Sequence, residues 1–289
     1  MASTLFTELI TTILKRPYVF LFLIAYLLLA WRLWGWRRTL LWLVTGYGIA
    51  WLSEYSSIHN GFPYGEYHYR YENLQGELLV FGVPFFDSLS YPFLIFAGYT
   101  LALFLTTASL SARPSCAPAT NLAGADEGHH SGLLHTEKVK GSRKCFEIIF
   151  CSLGAFFTML LDIIIDPVAT MGEKWFLGQI HYYVNPGKYF GVPLSNFAGW
   201  FLVAFVVILT NQMIWRALPS LTQKRAQLNW LYPAFFFSIA LFNISIAFWI
   251  SAWELALISS GFLVLLVLFM QAFFLKKRTI SASYRRDSV

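Results

Sequence analysis

The chain of 289 residues is 57% hydrophobic and only 12% charged, with a net charge of +6 and a mean hydropathy of +0.56. A soluble domain is about a quarter charged, so the balance excludes an ordinary soluble domain and fits an integral membrane protein. The positive excess then reads as membrane orientation rather than nucleic-acid binding, and Cys116, Cys145 and Cys151, odd in number and without metal-ligand spacing, read as free thiols.

In chain order, the basic pair Lys15 and Arg16 comes late for a signal peptide, and no small-residue cleavage site follows it. Segment 17 to 34 is therefore read as the first membrane span. A span needs about 20 apolar residues, and on that basis six more follow, at 39 to 55, 84 to 108, 145 to 166, 196 to 215, 230 to 250 and 254 to 275. The expected fold class is an all-α integral membrane protein of about seven transmembrane helices. Residues 1–108 carry helices one to three with a first motif loop, and 145–275 carry helices four to seven with a second. Between them, 109–144 is rich in Ser, Ala, Gly and Pro and reads as a disordered cytoplasmic linker, whose His129, His130 and His135 read as loop residues rather than a metal tract. Residues 276–289 form a basic cytoplasmic tail. Sixteen of the 21 Lys and Arg residues fall on one side of this topology, against Lys15, Arg16, Arg70, Lys174 and Lys188 on the other. The expected orientation has the N-terminus outside, the C-terminus cytoplasmic, and loops 56 to 83 and 167 to 195 facing out.

Those two loops resemble each other. The first has GEYHY (65 to 69) and GVPFFD (82 to 87); the second has GQIHY (178 to 182) and GVPLSN (191 to 196). Counting from the Gly of each GVP, Asp87 or Asn196 stands at plus five and Tyr91 or Trp200 at plus nine, and each loop follows a span ending in a carboxylate, Glu54 in one and Asp162 with Asp166 in the other. The pattern implies a duplicated unit of helix, outer loop and helix, in parallel orientation. Pro84 and Pro193 are expected at the first helical position, with Asp87 and Asn196 in the first turn.

Four acids fall near the outer membrane boundary: Glu54, Asp87, and the pair Asp162 and Asp166 in LLDIIIDP. An ionisable side chain in hydrocarbon costs roughly 2.5 to 3.5 kcal/mol even on the lenient insertion scale, so function is the default suspicion. Positions four apart share a helix face, and two carboxylates in a dry setting resist double ionisation, which keeps a proton at hand near neutral pH. His68 and His181 lie in tyrosine-rich loops and are candidate proton carriers. Around them stand Tyr64, Tyr67, Tyr182, Trp175 and Trp200, which fit an aromatic belt and whose faces also stabilise a cation. An acid facing aromatic walls suits protonation of a lipophilic alkene. Metal ligation is the weaker reading of the same acids, because the histidines lack a ligand spacing.

The order Glu54, GFPYGEYHY (61 to 69), GVP (82 to 84), DIIIDPVATMGEKW (162 to 175) and YFGVPLSNFAGW (189 to 200) resembles the carotenoid-biosynthesis membrane family that includes the carotenoid 1,2-hydratases and the archaeal bisanhydrobacterioruberin hydratase. The resemblance covers roughly residues 45 to 205; Asp87 lies outside its matched segments, and Leu177 stands where a second aromatic is expected. It implies cofactor-independent hydration of the terminal C1=C2 bond of an acyclic carotenoid, in a bacterial or archaeal inner membrane, with a polyene substrate and other enzymes of that pathway as partners. Glu54, Asp162, Asp166 and Asn196 occupy its motif positions, with Trp175 and Trp200 as aromatic wall. Two rival readings remain at this stage. A cyclase or isomerase would share the protonation and leave the substrate's mass unchanged, and a proton-coupled transporter would use paired acids without chemistry. A retinal protein is disfavoured, because every Lys falls in a loop or tail.

Overall fold

The computed structural model describes residues 2–110, 131–218 and 227–286. Among these residues eight α-helices run in order: α1 (Ala2–Lys15), α2 (Pro17–Trp34), α3 (Trp36–Asn60), α4 (Phe85–Leu110), α5 (Ser131–Thr170), α6 (Leu194–Ala217), α7 (Leu231–Trp249) and α8 (Trp253–Arg286). Four short strands lie in the two motif loops: β1 (Tyr67–Tyr69), β2 (Leu79–Val80), β3 (Val83–Pro84) and β4 (His181–Tyr183).

Six of the seven expected spans coincide with helices long and apolar enough to cross a membrane, so the chain is a multi-pass membrane protein. The seventh, 39 to 55, lies inside α3, whose 25 residues are long enough but include Arg37, Arg38 and Glu54 and many Gly, Ser and Thr. Its place in the bundle still requires it to return the chain. Trp42 near its start packs on Trp34 at the end of α2 (5.0 Å between ring centroids), while Glu54 near its other end meets Ser88 at the start of α4. Local chemistry sets the joints. Pro17 opens α2, where its missing N–H is no loss. Gly61 closes α3 in the left-handed conformation (φ 77°), its N–H capping Ser57 O at 2.9 Å.

Three expectations about boundaries change. Helix α5 does not stop at Pro167 but runs on to Thr170, whose hydroxyl donates to Pro167 O at 2.9 Å and holds the extra turn. Pro84 and Pro193 stand one residue ahead of α4 and α6 rather than within them, because both are in extended strand or cap backbone. Helix α5 begins at Ser131, within the segment read as linker; residues 111–130 of that segment, with His129 and His130, lie outside the described residues. Helix α1, unforeseen, is too short to span the bilayer, and its exposed Phe6, Ile10 and Leu14 recur every four residues, the stripe of an interfacial helix.

The core is a ring of four helices in which α3 packs on α4, α4 on α5, α5 on α6 and α6 back on α3. α4 and α5 approach so closely that a Cβ at Gly98 would lie 2.6 Å from Gly154 O. Helices α2 and α7 flank α4, and α8 lies outermost against α7. At the end where the motif loops lie, β1 and β4 pair antiparallel (Tyr67 with Tyr183, His68 with Tyr182, Tyr69 with His181), joining the two loops into one cover.

The cover is pinned at its side by Arg16, just before α2. The guanidinium is 2% exposed and donates to both Glu77 oxygens of the first loop (2.7 and 2.9 Å) and to Leu177 O of the second. Breaking a buried ion pair strands the other charge and typically costs roughly 3 to 5 kcal/mol. Arg16→Met is therefore expected to lower thermal stability in detergent sharply, and Arg16→Met with Glu77→Leu to recover most of it. Equal stability of Arg16→Met and the unsubstituted protein would contradict this role.

Candidate active site

Under the β1–β4 cover, the four core helices enclose a chamber of about 90 Å³ lined by all four acids: Glu54 from α3, Asp87 from α4, and Asp162 and Asp166 from α5. That volume holds a few waters and an alkene end group, not a whole polyene. Glu54 and Asp162 are each 2% exposed.

The acids form two clusters. In one, Ser88 Oγ donates to Glu54 Oε2, and Tyr69 OH donates to Asp87 Oδ2 at 2.9 Å with a longer contact of 3.5 Å to Glu54 Oε1. In the other, Asn196 Nδ2 donates to Asp162 Oδ2 at 2.7 Å and to Asp166 Oδ2 at 3.2 Å, so the two aspartates do face one neighbour, as their spacing requires. Asp166 also accepts from Tyr183 OH at 2.7 Å, and His181 Nε2 stands 3.4 Å from its Oδ1. Asp166 thus has donors at both oxygens, whereas Asp162 has Asn196. Burial raises the phenols of Tyr67, Tyr69 and Tyr183 well above the ordinary 10, so each keeps its proton to donate.

Aromatic faces close the chamber. Tyr91 and Trp200, the two plus-nine residues of the repeat, stack face to face at 4.0 Å and 3°, with Tyr64 tilted against both. Tyr64 OH is 2.8 Å from Ser53 Oγ, and Gly199 lets its ring seat on α6: a Cβ there would fall 2.5 Å from Tyr64 Cδ1.

Of the residues singled out from sequence, Glu54, Asp87, Asp162, Asp166, Asn196, Tyr64, Tyr67, His181 and Trp200 meet in this chamber. His68 and Tyr182 do not. Strand residues alternate sides, so Tyr67, Tyr69, His181 and Tyr183 point in while His68 and Tyr182 point out, His68 toward Glu66 (3.7 Å) and Tyr182 under the Arg70 guanidinium (5.2 Å). The two histidines aligned by the sequence repeat are therefore not structural counterparts. Trp175 donates Nε1–H to Val168 O and lines an adjoining cavity instead. Sequence reasoning missed Ser88; it read Tyr91 only as the plus-nine residue of the repeat and Tyr69 and Tyr183 only among the loop aromatics, although strand alternation would have turned both of these inward. Among the described residues no group of three His, Cys, Asp or Glu is arranged to hold a metal ion.

Fold and site together define a multi-pass helical membrane protein with a buried chamber of carboxylates, tyrosines and one histidine. The chain belongs to the carotenoid biosynthesis protein family, which it matches over residues 15–268, and its role is accordingly in carotenoid biosynthesis. No protein of curated function and no solved structure matches it.

The His181 pair carries a pH signature. Burial works against its charged form, yet the hydrogen bond and charge of Asp166, then the charge of Asp87, outweigh burial and raise the imidazole above its ordinary 6.5. A group whose pKa is raised by folding contributes stability that is complete below the unfolded value, near 6.5, and lost as pH climbs through the folded value. Thermal stability in detergent should therefore decline through that window, and His181→Gln should flatten the decline. An unchanged profile in His181→Gln would contradict it.

Proposed function

We propose that the protein is a hydratase adding water to the terminal C1=C2 double bond of an acyclic carotenoid end group. The observation that supports it best is the facing of two carboxylate clusters across one aromatic-walled chamber, in a member of a carotenoid biosynthesis family.

Asp162 is the proton donor in this reading. It is buried and accepts from Asn196, whereas Asp166 is already engaged at both oxygens by Tyr183, Asn196 and His181. The Asp162 O–H bond breaks and the alkene π pair takes the proton at C2, leaving a tertiary cation at C1. The faces of Tyr64, Tyr91 and Trp200 stabilise that cation. Water held between Glu54 and Asp87 attacks C1 with an oxygen lone pair, and Glu54 takes the proton it sheds. Each turnover moves one proton from Asp162 to Glu54, and exchange with chamber water restores both. Asn196 orients the Asp162 carboxyl, and Tyr67 and Tyr69 order the cover above. By the Lys and Arg distribution, the chamber lies at the outer end of the bundle.

The test is expression in a host that makes lycopene, with pigments resolved by chromatography and mass spectrometry. A product heavier by one water is expected, reduced roughly 10² to 10⁴-fold in Asp162→Asn and in Glu54→Gln. A product of unchanged mass would point to cyclisation or isomerisation and overturn hydration. Full turnover in either correctly inserted variant would overturn the role given to that residue.

A further inference from the structure

The carboxylate chamber does not end at its own walls. Asp87, Ser90, Leu94 and Ala169 line both it and a second cavity of about 100 Å³, which leads away from the core ring toward α2 and α7. The wall of this second space is almost wholly apolar and aromatic, with Tyr18 and Phe22 from α2, Phe93 from α4, Trp175 from the second loop, and Ile239 and Phe242 from α7. At its far side the two peripheral helices meet through rings: Tyr18 stacks on Phe242 at 5.5 Å and 22°, and Phe22 meets Phe242 and Phe235 edge-on at 5.7 and 6.3 Å. The four helices that line it, α2, α4, α5 and α7, are all candidate membrane spans, and only 28% of the α2 segment is buried within the protein, so the seam borders lipid. The loop side is shut by the Arg16–Glu77–Leu177 bridge.

We propose that this gallery is a binding site for the linear polyisoprenoid chain, admitting it sideways from the bilayer between α2 and α7, so that one end group reaches the acids while the remainder stays in lipid. The proposal rests on the hydratase reading for the nature of the end group. Its chemistry is otherwise that of the wall: flat aromatic faces and aliphatic edges suit a rigid conjugated chain, and nothing along it offers a charge until Asp87. A consequence is that the protein reads one end at a time and is indifferent to the far end of the substrate.

Val19→Phe and Ile239→Trp, on separate helices and lining the gallery but not the chamber, would plug the gallery. Each is expected to cut lycopene hydration at least tenfold and to abolish lycopene's quenching of tryptophan fluorescence in detergent, while a short alkene bearing the same end group is still hydrated. Phe242→Ala, which removes the ring shared by two of the three seam contacts, is expected to speed lycopene release severalfold. Full lycopene turnover in both plugged variants, or unchanged release from Phe242→Ala, would overturn the gallery. Quenching that is sensitive to these substitutions in a protein that forms no hydrated product would instead retire the hydratase reading and leave the gallery standing.

Discussion

Four carboxylates inside a lipid-facing bundle are the constraint on which the rest of the structure depends. Each would cost roughly 2.5 to 3.5 kcal/mol if left in hydrocarbon, and the fold is arranged so that none is. Tyr69 and Tyr183 reach the acids from above because β1 and β4 pair in the register that turns both rings inward. Asn196 sits between Asp162 and Asp166 because α6 starts immediately after Pro193 and places position 196 in its first turn. The cover exists to deliver donors, and the Arg16–Glu77 pair holds the cover down.

The two halves of the chain converge on a common plan. Both FGVP stretches carry a left-handed Phe–Gly pair, with φ of 52° and 83° at Phe81 and Gly82 and of 48° and 84° at Phe190 and Gly191, a backbone that a bulky side chain adopts only under constraint. A helix starts three residues after each glycine, and the plus-nine aromatics, Tyr91 and Trp200, lie against each other at the centre. The halves differ where chemistry would need it. Asp87 in one is Asn196 in the other, and His181 in β4 faces Tyr67 in β1. A symmetric frame thus carries two unlike clusters, one with donors suited to hold water and one built around a shielded aspartate.

Much of this was legible in the sequence. Apolar runs located six membrane-spanning segments to within a few residues, and the cost of charge in lipid singled out Glu54, Asp87, Asp162 and Asp166, which do meet. The repeat gave the plus-five and plus-nine residues their pairing. What could not be read was long-range: that the two loops pair as strands depends on the closing of the four-helix ring, so the inward face of each strand was invisible and His68 and Tyr182 were assigned to the wrong side. Local rules also misplaced the end of α5, because a threonine hydroxyl holds the turn beyond Pro167. Helix α1 was passed over because it is too short to span, and its stripe makes sense only beside a membrane.

The central claim is that a carboxyl proton and a water molecule are added across one double bond. The most direct measurement is turnover of lycopene in heavy water enriched in oxygen-18, with the product analysed by mass spectrometry and nuclear magnetic resonance. The account predicts one carbon-bound deuterium at C2 and one labelled oxygen at C1 for each hydrated end. Deuterium without oxygen, or neither label in a converted product, would contradict it.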